Sequence, residues 1–286
     1  LVKETGEVWK RKVSLHKINE QNMRNIFLLS SLVIMILTSS VFTQELNQTD
    51  VNTQDKMLLL YNTDVFDDDT KSWQYFSIEY QFRETFATFI PRANFANRFT
   101  NSEIQLEADA YVFFSKKTYL YLNTGFAEGK VFPKSRAGIE LYQVIPGNFE
   151  LSAGYRYLYF SPSKVNIITG SIGYYFSDYW FSFRPYLVNE PGSEKKSTFT
   201  LIGRKYFADG ENYLSVRAGF GSYPVSGNTQ ADFFRNDSKF FGIDYQFYIL
   251  EKTTIQLGFL YENEELNSNR SRSRYNFLIG VQKIFN

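Results

Sequence analysis

Cysteine is absent from the 286-residue chain, which excludes a disulfide framework, a zinc–thiolate site and a lipid-bearing cysteine anchor. Histidine occurs once, at His16, so no residue beyond it can serve as the imidazole base of a Ser-His-Asp hydrolase. P-loop and GxGxxG motifs and metal-ligand clusters are missing, and no cofactor is expected. The longest apolar run, residues 26–38, falls short of the ~20 residues a spanning helix needs. A mean hydropathy of −0.32 likewise excludes a helical membrane bundle. Charge of one sign is also lacking: 31 basic residues face 30 acidic ones. Six of the basic and three of the acidic residues precede Gln44, and the remainder carries a net charge of −2. Nucleic acid is not an expected partner.

Aromatic residues, by contrast, are abundant, with 29 Phe and 21 Tyr making up most of a 19% aromatic content. From residue 57 onward, apolar or aromatic residues hold one parity of almost every stretch and polar or charged residues the other. In 149–160, Phe149, Leu151, Ala153, Tyr155, Tyr157 and Tyr159 share one parity, while Glu150, Ser152, Gly154 and Arg156 share the other. Period-2 patterning of this kind gives a strand with one face in an apolar phase and the other in water. Repeated along the chain, it predicts an all-β fold, a single transmembrane antiparallel up-and-down barrel.

Fourteen strands are expected, near 57–66, 72–82, 86–98, 102–114, 118–127, 135–144, 148–160, 164–176, 178–188, 197–207, 212–221, 239–249, 253–262 and 274–285. Twelve is the alternative, because the first hairpin is the weakest. Most of these segments have the length a tilted strand needs to cross a bilayer. The connections alternate between short (83–85, 115–117, 145–147, 177, 208–211, 250–252) and long (128–134, 189–196, 222–238, 263–273). Short periplasmic turns and longer extracellular loops are the outer-membrane pattern. It predicts a Gram-negative outer-membrane location with both termini in the periplasm.

Residues 1–43 read as a leader. Arg24 precedes the 26–38 apolar run and small residues follow it, as in a signal peptide, with Met23 as an alternative start. Residues 44–56 read as a flexible polar periplasmic lead-in, and 57–286 as the barrel. The last strand, ending at Phe285, resembles the signal read by the barrel-assembly machinery. Outer-membrane lipid and lipopolysaccharide are the expected surroundings of the outer face. Lys205 and Lys283 fall on the lipid parity, where they need to lie near strand ends and snorkel.

The lumen parity carries the acids Glu79, Glu103, Glu107, Asp109, Glu140, Glu150 and Asp244 and the arginines Arg92, Arg98, Arg136, Arg156, Arg184, Arg204 and Arg217. One reading is a ladder of ion pairs filling a narrow lumen, since unpaired buried charge is costly. A second sets Glu103, Glu107 and Asp109 on strand 4 against Arg184, Arg204 and Arg217 on strands 9–11, giving a transverse field across a constriction. Tyr111, Tyr142, Tyr186, Tyr206 and Tyr213 would then offer stacking faces to sugar rings. The expected function is a channel or binding barrel for a saccharide or other small polar solute. The alternative is a plugged, non-conducting barrel acting through the loops 222–238 and 263–273. Third comes a His-independent enzyme using Glu107 and Asp109, whose i, i+2 spacing separates them by ~6–7 Å along the strand. No catalytic residue is assigned, and the chain is expected not to be an enzyme. Asp67, Asp68 and Asp69 read as a solvated acidic turn rather than a Ca²⁺ site.

IPRANFANRF (90–99), FPKSRAGIELYQ (132–143), GYRYLYF (154–160), YWFSFRPYL (179–187), GRKYF (203–207) and NYLSVRAGFGSYP (212–224) resemble, in order and spacing, the YaiO family of outer-membrane β-barrels. The resemblance covers about residues 57–286 and implies one outer-membrane barrel. It carries no firmly assigned activity. It does suggest a place beside cell-surface polysaccharide export, although the periplasmic helical repeats common in such exporters do not appear between the leader and the barrel. Arg92, Arg136, Glu140, Arg156, Arg184, Arg204 and Arg217 fall within the shared segments.

Overall fold

A computed structural model describes residues 54–285 other than 99, 193, 208, 223–236 and 267–269. The leader, most of the lead-in and most of loop 222–238 lie outside the described residues. Fourteen antiparallel strands form one closed barrel in which each strand pairs with its sequence neighbours and β1 pairs with β14. They are β1 (Lys56–Phe66), β2 (Trp73–Arg83), β3 (Ala87–Arg98), β4 (Asn101–Phe113), β5 (Thr118–Phe126), β6 (Ser135–Ile145) and β7 (Phe149–Tyr159), followed by β8 (Lys164–Phe176), β9 (Tyr179–Asn189), β10 (Lys196–Tyr206), β11 (Tyr213–Gly221), β12 (Asp237–Leu250), β13 (Thr253–Leu266) and β14 (Arg270–Ile284). The first hairpin is present, which settles the count at fourteen rather than twelve.

Closure leaves no strand edge unpaired. The β1–β14 ladder runs from Lys56↔Ile284 to Phe66↔Arg274. Phe285 extends it by donating its backbone N–H to the Asp55 carbonyl (2.8 Å). Two ladders have gaps, between β2 and β3 beside Pro91 and between β8 and β9 beside Pro185. A proline has no N–H to donate, and in both strands the other edge stays paired.

Burial is inverted relative to a water-soluble domain. Ile104 and Leu106 are 62% and 64% exposed on the outer face. Their strand neighbours Glu103, Gln105 and Glu107 are buried inside. Aromatic pairs such as Tyr80–Phe285, Tyr179–Phe181 and Tyr245–Phe247 cluster on the outer face at the rim that carries the termini, where a membrane interface favours amphipathic rings. Lys205 and Lys283 are at that same rim. The Lys205 ammonium lies over Tyr179 and Phe207 (5.4 and 5.6 Å), and Lys283 approaches Thr253 Oγ1 (3.5 Å), so neither charge sits at mid-depth.

The largest departure from expectation is the last hairpin. Residues 263–273 were expected as a loop, yet Asn263–Leu266 and Arg270–Ser273 continue β13 and β14 in register. Their outward residues Asn263, Glu265, Ser271 and Ser273 are polar, so hydrophobic alternation ends while the ladder continues. The hairpin therefore extends past the apolar band at the rim opposite the termini. At the other end of the barrel, Lys56 starts β1 rather than closing a flexible lead-in.

Candidate functional site

Long polar side chains on the inner wall have room because the register sets a glycine opposite many of them. Arg136 pairs with Gly125, Arg156 with Gly138, Glu140 with Gly154, Arg217 with Gly242 and Asp244 with Gly258. A Cβ at Gly154 would come within 2.7 Å of Glu140, and one at Gly258 within 2.7 Å of an Asp244 oxygen. Each side chain thus lies flat over a residue that has none.

On the β2–β6 wall, Arg92 binds Glu79 (2.7 Å), Asp109 (3.0 Å) and Glu107 (3.5 Å), and Arg136 reaches Glu107 at 3.3 Å. Amides complete the set: Asn94 and Asn123 donate to Glu107 at 2.8 and 2.7 Å, and Asn123 and the Tyr121 hydroxyl donate to Asp109 at 2.5 and 3.0 Å. The Glu107–Asp109 pair is therefore fully engaged by cations and donors. Next around the wall, Glu140 on β6 accepts from Arg184 on β9 (2.6 Å) and from Ser152 (2.6 Å), with Arg156 at 3.7 Å. Arg184 also donates to the Tyr142 hydroxyl (3.0 Å). Tyr142 stacks on Tyr119 (4.6 Å, 6°), whose hydroxyl donates to Glu150 (3.1 Å). Arg217 binds Asp244 at 2.9 Å.

This pairing follows the first reading, a ladder of ion pairs, rather than the transverse field. Glu107 and Asp109 are neutralised by arginines on β3 and β6, while Arg184 and Arg217 have acids of their own. Arg204 differs. Its guanidinium lies over Tyr213 (4.0 Å), Trp180 (5.6 Å) and Tyr206 (5.8 Å). Among the described residues it has no carboxylate within ion-pair distance, and its buried Nε has no hydrogen-bond partner. Of the expected stacking tyrosines, Tyr111 packs against Tyr121 (5.1 Å) and Tyr206 against Tyr213 (6.2 Å) on the lumen wall. Tyr186 does not serve that role. It is buried with Leu158, Phe160, Val165, Ile167 and Val188, beneath Arg156 (5.5 Å).

Both rims carry inward structure that sequence reasoning missed. At the rim opposite the termini, Glu103 does not face an open lumen. Its two oxygens accept the backbone N–H groups of Gly129 (2.6 Å), Lys130 (3.2 Å), Val131 (2.6 Å) and Phe132 (2.7 Å). The 127–134 loop is thereby drawn inside, with Val131 and Phe132 buried against Ala96 and near Tyr75. The apolar Val131-Phe132-Pro133 run in a supposed solvent loop was the available signal. Beside it, Arg274 binds Asp64 (2.9 Å) and lies 3.6 Å from both Glu262 and Glu264. Arg272 pairs with Glu264 and stacks on Phe66 (4.3 Å), and Arg98 covers Trp73 (4.9 Å). The signal that could have found them is opposite charge in register across the hairpin, Glu262↔Arg274 and Glu264↔Arg272. At the terminal rim, the 207–212 connection reaches inward through Glu211, which pairs with Lys56 and accepts from Gln282 (2.6 Å).

In the first loop, Asp67 caps the Ser273 N–H (2.9 Å) and Asp68 the Thr70 N–H (3.0 Å). Partial burial would raise the Asp68 carboxyl, but the Thr70 hydrogen bonds and the Arg272 and Arg270 charges hold it below its ordinary value. These acids are turn caps. Among the described residues no group of three or more His, Cys, Asp or Glu could hold a metal ion.

A family model described as the YaiO membrane beta barrel domain matches residues 54–226. No curated protein sequence matches the chain. Among solved structures, a CymD monoaromatic hydrocarbon channel aligns with 82% of this chain and 90% of its own at 8% identity, with a TM-score of 0.59. A bacterial polysaccharide outer membrane secretin aligns over 83% and 100% at 7% identity (TM-score 0.53). The Acinetobacter baumannii outer membrane protein Omp33 aligns over 82% and 100% at 12% identity (TM-score 0.50). At these identities the likeness is one of fold.

Proposed function

Because this chain belongs to the YaiO membrane beta barrel family, we propose that it is a non-enzymatic outer-membrane barrel whose lumen binds or passes a saccharide or other small polar solute. The observation that carries this reading is the inner wall of the terminal half. Tyr111, Tyr119, Tyr142, Trp180, Tyr206 and Tyr213 present rings there beside arginines and acids. Ring faces flanked by fixed hydrogen-bonding groups suit sugars, which have an apolar face and a hydroxyl edge. In this reading the termini and short turns are periplasmic. Outer-membrane lipid and lipopolysaccharide cover the apolar face, and the barrel-assembly machinery engages β14 and Phe285. A role in polysaccharide export is compatible with the fold shared with a polysaccharide secretin and is offered as part of the same proposal. Planar-bilayer recording tests it: a stable open current that neutral oligosaccharides block reversibly is expected. Electrical silence of folded protein, with no saccharide binding, would overturn it.

The 127–134 loop favours a second reading, a plugged barrel. Four backbone N–H groups on one buried carboxylate fix this loop inside the wall, and Glu211 draws in the other rim. Silence in the bilayer that is relieved by deleting residues 128–133 would support that reading.

A further inference from the structure

We propose that Arg204 and the rings around it form a binding site for the carboxylate of an acidic sugar, a uronic acid unit of an oligo- or polysaccharide. This rests on the saccharide reading above and narrows it to an anionic class.

Three observations meet at this point of the wall. The other arginines of the β4–β11 arc that sequence placed in the lumen have acids: Arg136 reaches Glu107, Arg156 and Arg184 share Glu140, and Arg217 has Asp244. Arg204 instead has aromatic rings on β9, β10 and β11, with Tyr213 closest at 4.0 Å. Asp244 is near enough for its charge to be felt by Arg204, but it lies beyond ion-pair distance and its Oδ1 is taken by Arg217 at 2.9 Å. A guanidinium stacked on a ring keeps its N–H edge free for a planar carboxylate, which it can bind through two parallel hydrogen bonds.

Position makes the site reachable. Arg204 is two residues from the end of β10, opposite Trp180 in register, so it lies just inside the terminal rim. Tyr175, 39% exposed, extends the ring surface on β8 and lies 6.4 Å from Trp180. Trp180 is seated over Gly173, where a Cβ would come within 3.1 Å of the indole nitrogen. A pyranose stacked on these rings brings a ring-borne carboxylate to the Arg204 edge, whereas a neutral sugar gains only the stacking.

The test uses the full-length folded barrel in detergent. The probes are a trigalacturonate and a neutral trisaccharide of matched size, titrated by calorimetry and by the tryptophan fluorescence of a Trp73→Phe background, in which Trp180 is the barrel's remaining tryptophan. The wild type should bind the uronate about tenfold or more tightly, the ratio a charge-assisted hydrogen-bond pair supports, and salt should narrow the gap. In Arg204→Gln the ratio should fall below about threefold, with heat-modifiable gel mobility confirming the fold. Arg204→Lys, which keeps the charge but loses the planar edge, should give an intermediate ratio. Equal affinity for the two sugars in the wild type, or an undiminished ratio in Arg204→Gln, would overturn this proposal and leave the saccharide reading standing. Inorganic sulfate displacing the uronate at equal concentration would show an anion site without sugar recognition and also overturn it. If neither sugar binds, this proposal fails, and the broader reading falls with it if the folded barrel is also electrically silent.

Discussion

Replacing Glu140 tests whether the inner wall is held by specific pairs rather than by diffuse polarity. Glu140 is 2% exposed, and its Oε1 takes Arg184 at 2.6 Å and Ser152 at 2.6 Å, while Arg156 stands at 3.7 Å from Oε2. Glu140→Ala removes the carboxylate that Arg184 and Arg156 share and strands the Arg184 charge. Arg184 is the more sequestered, with 16% of its side chain exposed against 27% for Arg156. Arg184 also keeps the Tyr142 and Ser171 hydroxyls at 3.0 and 3.3 Å. Breaking a buried pair costs about 3–5 kcal/mol, and the remaining partners and partial water access put this case near the bottom, at about 3 kcal/mol. Glu140→Gln keeps an acceptor for Ser152 and loses the charge, for about 1–2 kcal/mol. Adding Arg184→Met to Glu140→Ala removes the stranded cation, so the double variant should recover at least about 1 kcal/mol relative to additivity. Guanidinium titration of the barrel in phospholipid vesicles, followed by tryptophan fluorescence, measures the wild type, the two Glu140 variants, Arg184→Met alone and the double variant. A loss below about 1 kcal/mol for Glu140→Ala, or additivity within about 0.5 kcal/mol, would refute the pairing as the source of lumen stability.

Three further outcomes follow from the same geometry. Glu103→Ala removes the acceptor of four loop amides and should expose Lys130 and Lys134 to trypsin in otherwise folded protein; unchanged resistance would show that apolar packing of Phe132 alone holds the loop. Leu106→Arg puts a charge on the lipid face and should cost about 2–4 kcal/mol in vesicles, whereas Gln105→Arg, one residue away on the inner parity, should not share that lipid-transfer penalty; equal effects of salt and lipid thickness on the two variants would contradict the facing. Gly154→Val drives a branched side chain into Glu140, whose Cβ lies 2.7 Å from even an alanine Cβ there, and should destabilise as much as Glu140→Ala, about 3 kcal/mol; vesicle unfolding with no shift would mean that Glu140 can vacate the seat freely.

The wall was legible because its code is local. Each apolar-out, polar-in alternation needs only its own dozen residues, and most expected strand bounds fall within one or two residues of the observed ones. The code failed where its cause failed. Beyond the bilayer Asn263, Glu265, Ser271 and Ser273 have no lipid to face, so the protruding hairpin read as a loop and hid Glu264 and Arg272, while Glu262 and Arg274 fall at the ends of the expected strands. Which charges point inward was equally plain from parity, but who pairs with whom was not. Arg184 reaches Glu140 across two intervening strands, β7 and β8, a choice made by barrel curvature, side-chain length and the glycine under the acid. Glu103 was read as a lumen acid because a strand pattern gives no sign that a loop 26 residues later will fold back onto it.

Closure of the wall between its first and last strands is the claim on which lumen, lipid face and site all depend, and the natural lack of cysteine makes it directly measurable. Asn62 and Leu278 are opposed on β1 and β14, and Tyr261 and Tyr275 on β13 and β14 supply an ordinary hairpin control. Oxidised in outer membranes, Asn62→Cys with Leu278→Cys should form an intramolecular disulfide in the folded monomer, as the control pair does. A control that crosslinks while the β1–β14 pair stays reduced, or links only between chains, would contradict a closed fourteen-strand barrel.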